Sequence, residues 1–434
     1  MQRLARRIVW TIALLMASVA AHAQLVIEIT RGQENAVPIA IVPFGWDSSG
    51  AAPFDVAEVV AADLQRSGRF APLDRKDMID RPSSGDQIRF QDWRYLKSDF
   101  IAVGKLTPEG GDRYSAQFEL YNVLTGQRLT GQKLSTNAAG MRAMAHRISD
   151  LIFEQLTGIR GAFSTRIAFI SAEGTPPQQR YKLIVSDADG ENQRVIANSS
   201  EPLMSPAWSP DGQSLAYVSF ESKASAIYVQ TLSTGERRRV SARAGINGAP
   251  AWSPDGRMLA LTLSRKDGDV DIYTLDLTSQ VLTRMTFDPG IDTEPVWSID
   301  GRKIYFNSDR AGGPQIYEVD VNQPNRATRV TFDGSYNARP RISPDGKQLA
   351  VVYLDRGNYR IASVDLQSKA VQVLSQGRQD ESPSYAPNGA TIIYATQDRG
   401  RGVLAIVSSD GRVQQKLAAS AGDVREPVWG PFPK

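Results

Sequence analysis

The sequence predicts a small α/β domain followed by an all-β, six-bladed β-propeller. A phrase of the type "APAWSPDG" recurs through the second half of the chain, as "SPAWSPDG", "EPVWSIDG", "RPRISPDG", "SPSYAPNG" and a shortened "EPVWGP". The large residue ahead of each turn falls at Trp208, Trp252, Trp297, Ile342, Tyr385 and Trp429, with spacings of 44, 45, 45, 43 and 44 residues. A period near 44 built from short strands is the mark of propeller blades, each a four-stranded sheet. The first 160 residues mix strand and helix periods and carry no such repeat.

The chain opens with Arg3, Arg6 and Arg7, an apolar run over residues 8–20, and the small residues Ala21 and Ala23. This pattern predicts a cleaved secretory signal over residues 1–23 and a mature start at Gln24. The run of 13 residues is short for a membrane span, and no later run nears the roughly 20 required, so no membrane insertion is expected. In the next segment "VPIAIVPF" reads as a buried strand and "FDVAEVVAADLQRSG" as an amphipathic helix ending at Gly68. "FIAVGKL", "RYSAQFELYNV" and "QRLTGQKLST" read as strands, and residues 138–156 as a helix closing the unit before Gly158. Residues 24–160 thus predict an α/β domain whose sheet faces are covered by two helices, with His146 on the surface of the second.

Residues 165–434 form the expected propeller. In one repeat "APAWS", "RMLALTLS", "VDIYTLDL" and "LTRMTF" supply strands one to four. In the turn Ser253-Pro254-Asp255-Gly256, proline presets φ, the aspartate accepts from nearby N–H groups, and glycine takes the left-handed conformation. The large residue before each turn is expected to fill the wedge between neighbouring sheets. Residues 165–197 match strands two to four of a blade, while residues 426–430 match a first strand. Pairing the two ends would complete one blade and close the ring.

The composition narrows the chemistry. Cysteine is absent, so disulfides, thiol catalysis and thiolate metal sites are excluded. Loss of residues 1–23 removes three arginines, one of the two histidines and no acid, leaving 47 basic residues against 47 acidic ones. That balance argues against a nucleic-acid partner. A single histidine leaves no His-based triad or zinc cluster. No nucleophile elbow is present, since Ala216 stands where Gly-x-Ser-x-Gly needs glycine after Ser214. "DGDVDIY" fails as a calcium loop, with Ile272 at the glycine position and Thr278 at that of the bidentate glutamate. No catalytic, cofactor or metal-ligating residue is expected.

The residues just before each inner strand vary from blade to blade, as a surface matched to one partner would. They include Glu201, Leu203 and Met204; Ile246, Asn247 and Ala249; Asp292 and Thr293; Tyr336 and Arg339; Asp380 and Glu381; and Arg425. At the expected mature terminus Gln24, Leu25, Val26, Ile27, Glu28, Ile29 and Thr30 form a β-prone segment outside the body of the first domain. Left free, it could add a strand to another protein's sheet.

With "VIEITRGQENAVPIAIVPFGW", "NGAPAWSPDG" and "TEPVWSIDG", the chain as a whole resembles the TolB family, periplasmic components of the Tol-Pal system of Gram-negative bacteria. Ile342 and Tyr385 depart from the family's usual tryptophan. The resemblance implies a non-enzymatic periplasmic adaptor that supports outer-membrane integrity and envelope constriction during cell division. It implies that Pal, the peptidoglycan-associated lipoprotein, binds over the propeller mouth, with Ile246, Asn247, Ala249 and Thr293 carried over by motif. It further implies that the C-terminal domain of TolA binds residues 24–30. The free protein is expected to be a monomer. The alternative is a secreted propeller hydrolase or small-ligand binder using the central channel.

Overall fold

The computed structural model describes residues 27–29, 36–175, 177–264, 268–417 and 422–433. The expected signal, and with it Gln24, Leu25, Val26 and Thr30, lies outside them. The first described strand is β1 (Ile27–Ile29), which joins the propeller as set out below.

The α/β domain is built around β2 (Val37–Ile41), whose continuous apolar run suits a strand buried on both faces. β2 lies parallel to β4 (Phe70–Pro72) and β5 (Phe100–Gly110), and the short β3 (Gly45–Trp46) also pairs with β5. β6 (Arg113–Asn122) and β7 (Arg128–Asn137) extend the sheet antiparallel, giving the order β4-β2-β5-β6-β7. Helix α1 (Val56–Arg66) starts where Asp55 accepts a hydrogen bond from the Glu58 N–H at 2.9 Å. Helix α3 (Met141–Thr157) ends at Gly158, whose φ of 72° is the left-handed conformation that glycine adopts without strain.

Both long helices cover one sheet face, where Val60, Leu64, Ile148 and Ile152 pack with Ile39, Phe118 and Leu120. The opposite face is closed by α2 (Phe90–Tyr95), whose buried Trp93 packs with Ala40, Val42, Ile101 and Val103. The expectation that two helices cover the two faces is therefore corrected. Six residues are too few for helical periodicity to declare itself in the sequence.

Six antiparallel sheets follow. Blade 1 contains β8 (Arg166–Glu173), β9 (Arg180–Asp187) and β10 (Arg194–Ser199), and its inner strand is Asp423–Trp429, paired with β8 so that Val424 opposes Ser171 and Trp429 opposes Ile167. The inner strands of blades 2 to 6 are Leu203–Trp208, Asn247–Trp252, Asp292–Trp297, Asn337–Ile342 and Glu381–Tyr385. Each inner strand contacts the next around the ring, including the last and the first.

The repeated phrase is explained by two bonding patterns. In the turn after Trp252, Asp255 accepts from the Ser253 hydroxyl at 2.6 Å and the Arg257 N–H at 3.1 Å, while Gly256 has φ 74°. Ser209/Asp211, Ser298/Asp300 and Ser343/Asp345 repeat this pattern, so the aspartates cap turns. The tryptophans tie blades together. Trp252 Nε1 donates to the Ala207 carbonyl and Trp297 Nε1 to that of Ala251, both at 3.1 Å, and Trp208 Nε1 reaches the Val428 carbonyl at 3.2 Å. Ile342 has no ring donor and can supply only the apolar part of this joint.

In a four-stranded meander the turns between strands one and two and between three and four lie at one end of the ring. The α/β domain sits on that end. Asn388, in such a turn, donates to the Arg160 carbonyl at 2.9 Å, and Gly68 approaches Val413 so closely that a Cβ there would lie 2.4 Å from its methyl. His146 faces Asp187 and Asp189 in the turn after β9, at 4.0 and 3.5 Å, and its side chain is only 2% exposed. The expectation of a helix-surface histidine is overturned: the α3 face polar enough to read as solvated is covered by the propeller.

β1 lies along the outer edge of blade 6, antiparallel to Gln414–Leu417, with Ile27 opposite Leu417 and Ile29 opposite Gln415. The expectation of a free segment is corrected for these three residues. An outermost strand presents unpaired backbone groups, and a β-prone segment within reach satisfies them.

Candidate functional site

The other end of the ring carries the loops between strands two and three and those leading into the inner strands. The α/β domain leaves this mouth uncovered, and its geometry follows from one repeated feature. The residue before proline in each inner strand, Ser205, Ala249, Glu294, Arg339, Ser382 and Glu426, has φ between 44° and 54°. Each coincides with a shift in register between the inner strand and its neighbour. A left-handed non-glycine residue costs roughly 1–2 kcal/mol, and here it forms a β-bulge that bends every inner strand at the same level.

Alternation along the strand then sorts the expected rim residues. Two positions before the bulge stand Leu203, Asn247, Asp292 and Asp380, all buried. Leu203 belongs to the apolar core of blade 2. Asn247 accepts from the Ser241 hydroxyl at 2.6 Å and the Arg243 N–H at 2.9 Å, and donates to the Arg243 carbonyl at 2.7 Å. Asp292 takes a two-point bond from Arg310 at 2.8 and 3.0 Å. Asp380 accepts from the Gly377 N–H at 2.9 Å and from the hydroxyls of Ser375 and Thr396. Burial holds the carboxyls of Asp292 and Asp380 above their ordinary range, against the bonds they receive. These four shape the rim from beneath and do not form its surface. Asn247→Ala is accordingly expected to cost about 1–3 kcal/mol of stability by stranding its buried partners, read as a lower midpoint in denaturant melts.

The residues in the other phase do face the mouth. Met204 and Glu381 are exposed, Thr293 and Arg425 are half-buried, and Ile246 is 48% exposed. Glu201 pairs with Lys223 at the edge. Tyr336 meets Tyr359 edge-on with ring centroids 5.1 Å apart. Four exposed apolar residues that were not expected, Phe287, Ile291, Phe332 and Tyr359, crowd the same loops. Their signal in the sequence was an apolar residue in an otherwise polar turn, as in "FDPGIDTEP" and "FDGSYNARP".

The bulge level is charged. Arg341 lies 3.6 Å and Arg339 4.0 Å from Glu294, Arg339 also donates to the Ser382 hydroxyl, and the Ser205 N–H donates to Glu426. Burial pushes the Glu426 carboxyl up, with Arg339 opposing it, and burial lowers Arg341 against the pull of Glu294. Beside this level, between blades 5, 6 and 1, a cavity of about 450 Å³ is lined by Tyr336, Arg339, Tyr359, Glu381, Thr396 and Arg425. Apolar side chains around a core of paired charges suit a folded partner, whose own anchors can enter between them.

These features define a two-domain propeller protein, with an α/β domain seated on one end of a six-bladed ring and an open, mixed-charge mouth at the other. Residues 153–433 match the family model described as the TolB beta propeller domain, and residues 25–129 match the TolB amino-terminal domain. The chain is 51% identical over 418 residues, 96% of each protein, to the Tol-Pal system protein TolB of Nitrosococcus oceani. The crystal structure of TolB from Acinetobacter baumannii is 40% identical and covers 94% of this chain and 100% of its own, with a TM-score of 0.87. The chain belongs to the TolB family, and with it to the components of the Tol-Pal system. Among the described residues no helix is long and apolar enough to cross a membrane.

Proposed function

We propose that the protein is a periplasmic adaptor without enzymatic activity, which holds the Pal lipoprotein at the propeller mouth and the C-terminal domain of TolA through residues 24–30. In this role it links the outer membrane and peptidoglycan to the inner membrane, supporting outer-membrane integrity and constriction at division. The observation that carries the reading is the mouth itself: exposed apolar side chains from several blades surround a bulge level of paired arginines and glutamates, at the end the α/β domain leaves open. Ile246, Ala249 and Thr293 form the proposed centre of the Pal contact, with Met204, Tyr336, Arg339, Glu381 and Arg425 around them. Asn247, Asp292 and Asp380 support it from below.

Ala249→Asp places a carboxylate where a desolvated contact is proposed, at a cost of about 2 kcal/mol or more. The expected outcome is a complex with Pal at least about tenfold weaker by calorimetry, in a protein whose melt is near wild type. Unchanged affinity in a folded Ala249→Asp protein sinks the assignment. The TolA half of the reading rests on β1, a strand already used for pairing, whose backbone groups must leave blade 6 before they serve a partner.

A further inference from the structure

The one histidine among the described residues stands between the two domains. Its Nδ1 lies 2.7 Å from Asp63 Oδ2 on α1, an oxygen that also accepts from the Ser149 hydroxyl at 2.7 Å, while Arg66 holds the other Asp63 oxygen at 2.5 Å. On the propeller side Nε2 points at Asp189 and Asp187, 3.5 and 4.0 Å away. Nε2 has no hydrogen-bond partner within reach among the described residues. Arg142 of α3 donates to Asp189, Asn192 donates to Asp187 at 2.7 Å, and Asp150 of α3 adds a further carboxyl near Asp63. The imidazole is thus faced by carboxylates from both domains.

Asp63, His146 and Asp189 bring ligand-type atoms within 4.8 Å of one another, the separation of a metal site. Two guanidinium groups already occupy the two carboxylates that a cation would use, which favours a different guest. The carboxylates of Asp63, Asp187 and Asp189 face the ring against two cations, Arg66 and Arg142, so even before Asp150 is counted the surroundings of the imidazole are short of positive charge. A proton on His146 supplies it.

We propose that His146 is a proton-controlled latch, whose imidazolium bridges Asp63 of the α/β domain to Asp187 and Asp189 of blade 1 and holds the domains together. Burial opposes the charged ring, but Asp63 and Asp189 outweigh it and raise its pKa above the ordinary histidine value. Asp189 is lowered, because Arg66, His146 and Arg142 together overcome burial, whereas Asp187 is raised by burial. A group whose folded pKa is raised contributes in full below the unfolded value, about 6.5, and its contribution is lost as pH rises through the folded value. Alkaline conditions therefore loosen the docking.

After signal removal the chain keeps one histidine, so untagged mature protein labelled at histidine gives a single imidazole titration by NMR. The expected midpoint lies above about 6.5, and Asp189→Asn should lower it by about 1 unit or more. Hydrogen exchange in α3 and in the turn after β9, corrected for intrinsic rates, should quicken above that midpoint, and His146→Gln should erase this pH dependence. A midpoint at or below 6.5, no shift in Asp189→Asn, or the same pH dependence in His146→Gln overturns the latch. Stoichiometric perturbation of the imidazole signals by micromolar zinc overturns it in favour of a metal site. If His146→Gln fails to fold, the titrations of wild type and Asp189→Asn still decide.

Discussion

Trp297→Ala is expected to lower the stability of the propeller by about 3–5 kcal/mol, the range for truncating a buried tryptophan. The ring is 5% exposed and lies among Ala260, Ile272, Met285, Ile304, Phe306 and Tyr317, side chains drawn from blades 3 and 4. Truncation would leave a cavity at a seam that has no covalent reinforcement, since the chain lacks cysteine. The bond from Nε1 to the Ala251 carbonyl would be lost as well, leaving that acceptor unpaired. Trp297→Phe separates the two contributions: it keeps most of the apolar area and should cost about 1 kcal/mol more than its lost area alone predicts. Chemical denaturation followed by circular dichroism reads both variants. An alanine variant as stable as wild type, yet deficient in Pal binding, would move Trp297 from the seams of the ring to the partner surface.

Much of this architecture was legible because repetition amplifies weak signals. One "WSPDG" is a turn; six variants of the phrase, at a near-constant spacing, specify a ring in which the aspartates cap turns and the tryptophans join blades. The rim was legible only as a set of positions. Leu203, Asn247, Asp292 and Asp380 vary between blades like contact residues, but all four occupy the inward phase of the bulged strand, and the variation reflects different ways of filling one buried position. Knowing where the bulge falls restores the alternation, and the φ values that place it at the residue before proline cannot be read from residue types such as Glu294 or Arg339, which rarely adopt them. His146 was misread for a related reason. Helical periodicity identifies a polar face but not what covers it, and the cover here comes from Asp187 and Asp189, which lie some forty residues downstream in another domain.

Deleting residues 24–30 is expected to abolish capture of the C-terminal domain of TolA while leaving the thermal melt nearly unchanged. In the proposed mode the segment adds a strand to TolA, so backbone pairing supplies most of the affinity and no body of either domain replaces it. The small effect on stability is expected because Ile27–Ile29 is only a three-residue strand on the outer edge of blade 6. Ile27→Pro should do most of the same damage, because proline removes a ladder donor and fixes φ near −65°. Both changes also release the edge Gln414–Leu417, which β1 covers. Pal should still bind either variant, and any change in its affinity would measure the coupling between the docked strand and the mouth. A surface-binding assay with immobilised TolA domain decides the matter. If the truncated protein is captured with wild-type affinity, strand addition is wrong and the TolA contact lies on the body of the α/β domain or the propeller.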